Sequence, residues 1–183
     1  VKPQIPFKQL PMIVVDDEHE ICQSIAILNF IENIAGLKLK DPVKEAQANA
    51  ILQSAQELFL PLNPAVNFAV GEDFAKRRED MLPFLQTRFG ELEKIINLNG
   101  GKFFIDDTPR ACDFAVFHHL DLSRKLDGKI IKEFPRLEKF LDDIASLSSI
   151  ESYLSERPEL IDVSIEPKLV INGKVHPTGT VKT

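Results

Sequence analysis

The stretch that decides the fold is Ile5-Pro6-Phe7-Lys8-Gln9-Leu10-Pro11-Met12-Ile13, followed by Cys22-Gln23-Ser24-Ile25-Ala26-Ile27. Met12 to Val15 is a short β-prone apolar run, Asp16 to Glu20 is a polar turn, and Ile21-Cys22 returns as a second strand. This predicts a hairpin with a long loop. Ser24 is then the expected N-cap of a helix with Ile25, Leu28, Ile31 and Ile34 at helical spacing and Gly36 as its stop. Lys2 to Ala35 therefore reads as ββα. Two polar pairs, Gln9-Leu10 and Gln23-Ser24, fall where backbone groups are freed. A new helix exposes unpaired N–H groups and its positive dipole end, which favours a small anion such as a carboxylate. The plain alternative is that Ser24 only caps its own helix.

Beyond a Lys38-Leu39-Lys40 linker the character is helical. Asp41-Pro42 is an N-cap followed by Pro at the first helical position. The helix it opens is expected to carry Val43, Ala46, Ala50, Ile51, Ala55, Leu58 and Phe59 on its apolar side and to end at Pro61 and Pro64. A second helix is expected from about Glu72 to about Leu98, bent at Pro83 and broken by Gly100-Gly101. Thr108-Pro109 starts a third, apolar enough to lie at the centre of a bundle. Pro135 to Leu147 and Ile150 to Glu156 are shorter helices. Near the C-terminus, Asn172-Gly173 between β-branched residues signals a hairpin that must pack on something: this domain, a second copy or another protein.

The chain has 183 residues, is 44% hydrophobic and 27% charged, and carries a formal net charge of −6 with pI about 5.3. That balance argues against nucleic-acid binding through a whole-molecule basic surface. Cys22 and Cys112 are far apart and form no C-x-x-C, so no metal is expected and a reducing intracellular compartment is. His118 and His119 are adjacent and point to different sides of a helix, which disfavours a shared metal. No apolar run approaches a membrane span. The cytoplasm is the default location and an organelle the alternative. The chain begins at Val, so the expectation is a processed or partial polypeptide.

ββα followed by a helical domain resembles the glutathione S-transferase superfamily. Pro6-Phe7-Lys8-Gln9-Leu10-Pro11 looks like its P-F-G-x-[LIV]-P, and Gln23-Ser24-Ile25-Ala26-Ile27 like its Q-S-x-A-I. Downstream, Asp113-Phe114, Phe134-Pro135-Arg136-Leu137 and Arg157-Pro158 look like its A-D-F, F-P-x-L and terminal R-P. The sigma class is closest. The resemblance implies a fold between α+β and mostly α: residues 1–37 as a partial thioredoxin-like unit lacking its opening β-α-β part, 41–160 as the all-helical domain, and 161–183 as an extension.

It further implies glutathione as substrate or ligand, with no metal. Leu10-Pro11 would be a cis peptide. Gln9, Leu10 and Pro11 would hold the cysteinyl and neighbouring groups, and Gln23 and Ser24 the γ-glutamyl carboxylate. Lys2 would pair with the glycyl carboxylate, and Glu57 would reach the γ-glutamyl amine across a dimer. No catalytic residue is assigned, because the family's thiol-activating Tyr, Ser or Cys lies upstream of this point; Tyr153 cannot replace it. Met81, Phe84 and Leu85 are candidates for a second-substrate pocket, or plain core. Three departures from the family pattern stand out. Its Gly is Lys8, its hairpin turn is longer and lacks Gly, and Arg110 stands where a capping Ser or Thr is usual. The cap of the third helix is thus lost or moved to Thr108.

Two functions compete. One is a glutathione-binding transferase that moves the thiol to an electrophile if an upstream segment exists, the chain as given being inactive. The other is a non-catalytic docking subunit, assembling as a homodimer or larger complex through its extension. A ligand-storage or lens-type structural role is a third.

Overall fold

The computed structural model describes residues 5–178. A tight turn at Pro6–Lys8 leads into β1 (Met12–Val15), which pairs antiparallel with β2 (His19–Cys22) in the register Met12 to Cys22 and Val15 to His19. Asp16 and Asp17 take the reversal at φ 53° and 57°, a left-handed region that Asp tolerates better than most residues. The loop is therefore three residues, shorter than the sequence suggests, and His19-Glu20 belong to the strand.

The first helix, α1, spans Ser24–Ile34. Its N-cap is Gln23, at φ 74°, with no side-chain cap bond; Ser24 is already the first helical residue, so the expected Ser24 cap is corrected. At the other end Gly36, at φ +69°, closes the helix: its N–H donates to Asn33 O and the Leu37 N–H to Glu32 O. Such a closure favours glycine at the left-handed position. Ile25 and Leu28 pack on the core as expected, but Ile31 and Ile34 remain exposed while Ile27 and Glu32 are buried.

The helical unit follows as α2 (Pro42–Gln56), α3 (Phe59–Phe68), α4 (Gly71–Asn99), α5 (Ala111–Leu126), α6 (Pro135–Ala145) and α7 (Ser148–Glu156). Asp41 caps α2 as expected, its Oδ1 accepting from Val43 N at 2.8 Å. The face α2 buries is Ala48, Ile51, Leu52 and Ala55, while Val43, Ala46 and Ala50 are exposed. Ala-rich helices allow several faces, and close packing on α5 selects this one. Pro61 and Pro64 do not end the helical path. The break comes at Glu57-Leu58, and Pro61 sits in the first turn of α3, where its missing N–H costs little. Pro83 likewise lies inside α4, which Gly100 ends in a left-handed cap. α5 is central and buried on most sides, as its apolar sequence predicts.

The cap of α5 is not moved to Thr108: the half that a Ser or Thr would supply is lost, and the half that Asp113 supplies is kept. Arg110 is the N-cap residue, and its guanidinium cannot accept a hydrogen bond. Asp113 supplies the reciprocal half of the box: Oδ2 accepts from Arg110 N at 2.8 Å and Oδ1 from Phe104 N at 2.9 Å. One of the first-turn amides is satisfied from another helix, Glu32 Oε1 accepting from Ala111 N at 3.1 Å. Glu93 of α4 does the same for α6, taking bonds from Arg136 N (3.0 Å) and Leu137 N (2.9 Å). The core beneath is apolar, with Phe89, Phe103, Phe104 and Phe140 fully enclosed.

The C-terminal hairpin is present: β4 (Lys168–Ile171) pairs with β5 (Lys174–Pro177) across Asn172-Gly173, at φ 51° and 72°. A third strand, β3 (Glu159–Ile161), pairs with β4 and makes a sheet of order β3-β4-β5. The sheet docks on its own domain. Leu160 and Val163 pack on the helical core, and Gly71 N donates to Ser164 O at 2.8 Å.

Candidate functional site

The pairing of Met12 with Cys22 places the flanking residues, Pro11 and Gln23, at the same end of the hairpin. Sequence positions 9–11 and 23–24 are thus brought together by register. Phe7 and Lys8 hold φ 60° and 53°, so Lys8 occupies the left-handed conformation for which glycine is the usual residue. The chain then extends through Gln9, and the Leu10-Pro11 bond is cis, as expected. Leu10 is 62% exposed.

Beside it, α1 starts. Ile27 N donates to Gln23 O at 3.0 Å, closing the first helical turn. The amides of Ser24, Ile25 and Ala26 precede that bond and have no acceptor among the described residues. The Ser24 hydroxyl is not used in capping, and the Gln23 side chain is exposed. Gln23 holds its φ of 74° without glycine's freedom, a conformation that persists only when its surroundings enforce it. Such an end can receive a carboxylate on three N–H groups and a hydroxyl. Cys22, immediately before it, is buried, with Sγ 3.5 Å from Pro6 O.

The other expected residues lie elsewhere. Lys2 falls outside the described residues. The Glu57 carboxylate pairs with Arg88 of α4 rather than with the hairpin end. Glu57, Met81 and Phe84 line a groove of about 510 Å³ with Leu60, Pro61 and Pro64. Leu85 is fully buried in the core and takes no part.

Four titratable groups on α5 are perturbed: Cys112, Asp113, His118 and His119. His118 is exposed and His119 buried, so the pair does split across the helix. Burial, with His118 adding to it, pushes His119 down to about 4, and neither ring nitrogen has a hydrogen-bond partner among the described residues. Burial pushes Asp113 up to about 6 against the two amides it accepts from. Burial, then the charge of Asp113, pushes the Cys112 thiol far up, which makes it a poor nucleophile. No group of three or more His, Cys, Asp or Glu among the described residues could hold a metal ion, and none of the described helices is long and apolar enough to cross a membrane.

Sequence reasoning missed Glu32 and Glu93. Their only sequence signal is a carboxylate on a helix otherwise placed to pack.

Residues 62–157, more than half of the chain, match the family model described as glutathione S-transferase, C-terminal domain. The chain is 26% identical over 163 residues to glutathione S-transferase 1 of Ascaris suum, covering 87% of this chain and 79% of that protein. It is 29% identical over 168 residues to hematopoietic prostaglandin D synthase of Gallus gallus, covering 87% and 78%. Its fold is similar to a solved Pi-class glutathione S-transferase of Onchocerca volvulus, with a TM-score of 0.76 at 21% identity over 85% of this chain and 74% of that one.

Proposed function

This chain belongs to the glutathione S-transferase superfamily, and from that premise we propose that it binds glutathione at the hairpin end formed by Gln9-Leu10-Pro11 and Gln23-Ser24. The γ-glutamyl carboxylate would sit on the first-turn amides of α1, with the Ser24 hydroxyl and the Gln23 amide beside it. The cysteinyl backbone would pair with Leu10 as an added strand. Lys2 would take the glycyl carboxylate, and Glu57 would reach the γ-glutamyl amine of a second copy. The observation that carries this reading is the meeting of an exposed Leu10 with an open helix start at one end of one hairpin. With an upstream segment supplying a hydroxyl or thiol, the bound thiolate would attack an electrophile beside the helices.

The same reading divides the chain at 1–37, 41–160 and 161–183, sets it nearest the sigma class and places it in the cytoplasm. A homodimer is part of it, supported by the apolar groove at Leu60, Pro64, Met81 and Phe84.

Titration of the full chain with glutathione, followed by amide NMR shifts, tests the site. Saturable shifts at Leu10, Gln23, Ser24 and Ile25, weakened by Ser24→Asp, are expected. Shifts confined to other regions would sink the reading.

A docking subunit is the second reading. It is favoured by β5, which is exposed at every residue and, among the described residues, pairs only with β4. An edge of this kind accepts a partner strand. Val175→Pro, which removes the outward-facing N–H of that edge, would then weaken assembly and leave glutathione binding intact.

A further inference from the structure

A cleft of about 800 Å³ opens between α3, α5, α7 and the C-terminal sheet, within the size range of small-molecule sites. None of its lining residues comes from 5–37, so it is distinct from the hairpin end. Leu122, Leu160, Leu169 and Val170, all half-buried, give it an apolar wall.

Three helices meet it with their last turns: α3 through Asn67, α5 through Lys125, and α7 through Tyr153 and Glu156. Each such end carries surplus carbonyls and the negative pole of the helix dipole. Arg78 and Thr178 satisfy one carbonyl each, at Leu126 and Asn67, and the dipoles remain. Among the side chains, Asp121 and Arg157 neutralise one another at 2.7 Å, leaving Glu156 and Glu159 against Lys125. Although His118 reaches the surface, partial shielding of its ring from water, with Asp121 acting against it and Arg157 with it, holds the imidazole below its ordinary value. Tyr153, 59% exposed, offers a ring face that attracts cations.

We propose that this cleft binds a small organic cation with an apolar or aromatic body, the body on the leucines and Val170, the ammonium toward Glu156, Glu159 and the helix ends. An organic anion of the same shape meets the same walls with the electrostatics reversed. The site does not depend on the glutathione reading, and either can fail alone.

The test is an NMR titration of the full chain with benzyltrimethylammonium and, separately, benzylsulfonate, in saturating glutathione. Expected are saturable shifts at Asn67, Tyr153 and Gly173 with the cation, and binding about tenfold weaker with the sulfonate. Tyr153→Ala and the pair Glu156→Gln with Glu159→Gln should each weaken the cation severalfold. All three residues are exposed, so an unchanged thermal midpoint shows that these variants fold. The proposal is overturned if the sulfonate binds as well as the cation, if the cation gives no saturable shift, if the shifts map elsewhere, or if the variants bind unchanged.

Discussion

The Glu32 carboxylate, on the helix that follows the hairpin, accepts from the Ala111 amide at the start of the central helix at 3.1 Å. Arg110, the residue before, donates its guanidinium to Leu37 O and, at 2.7 Å, to Asp106. The hairpin unit thus adds an acceptor to the cap of α5, and Arg110 at that cap in turn holds the exit of α1. The two units are joined by mutual satisfaction of helix ends as well as by apolar contact.

Glu32→Ala should therefore destabilise the fold by about 1–2 kcal/mol, the usual cost of losing a helix cap. Glu32→Gln keeps an acceptor and should cost less. Urea denaturation measures both, and equal stability of Glu32→Ala and wild type would refute the linkage.

Glu93 caps α6 with two bonds and is expected to matter at least as much. Glu93→Ala should cost about 1–2 kcal/mol and speed hydrogen exchange at Arg136 and Leu137 first. Unchanged exchange at those amides would show the cap to be dispensable.

His119 should make stability depend on pH. Its folded value of about 4 lies below the ordinary 6.5, so its contribution is present above pH 6.5 and lost as pH falls toward 4. A shift of this size is worth about 3 kcal/mol across the window. Asp113, raised to about 6 from 3.8, acts oppositely: its contribution is present below about 4 and lost as pH rises to about 6. The difference between wild type and His119→Leu isolates the histidine, and parallel profiles for the two proteins would contradict the assignment.

Lys8 adopts φ 53°. Lys8→Gly should stabilise the protein by up to about 1 kcal/mol by relieving the left-handed conformation, less whatever glycine gains in the unfolded chain. A loss of more than that on chemical denaturation would mean that the lysine stem makes a contact that offsets the strain.

What local chemistry governs is legible in the chain alone. The strand-turn-strand-helix order, the Asp41-Pro42 start, the Gly36 and Gly100 stops and the Asn172-Gly173 turn all rest on steric and hydrogen-bond preferences spanning a few residues. Gln9 to Pro11 and Gln23-Ser24, the proposed site, are legible as candidates for the same reason, since helix starts and tight turns announce their freed backbone groups. Packing between distant elements sets which carboxylates cap α5 and α6, which faces α1 and α2 bury, and that β3 joins the C-terminal hairpin. An orphan amide takes whatever acceptor the fold brings within reach, and an Ala-rich helix buries whichever face its neighbour presents. Those partners lie tens of residues away along the chain, as Glu32 does from Ala111, and become neighbours only once the core has closed around them.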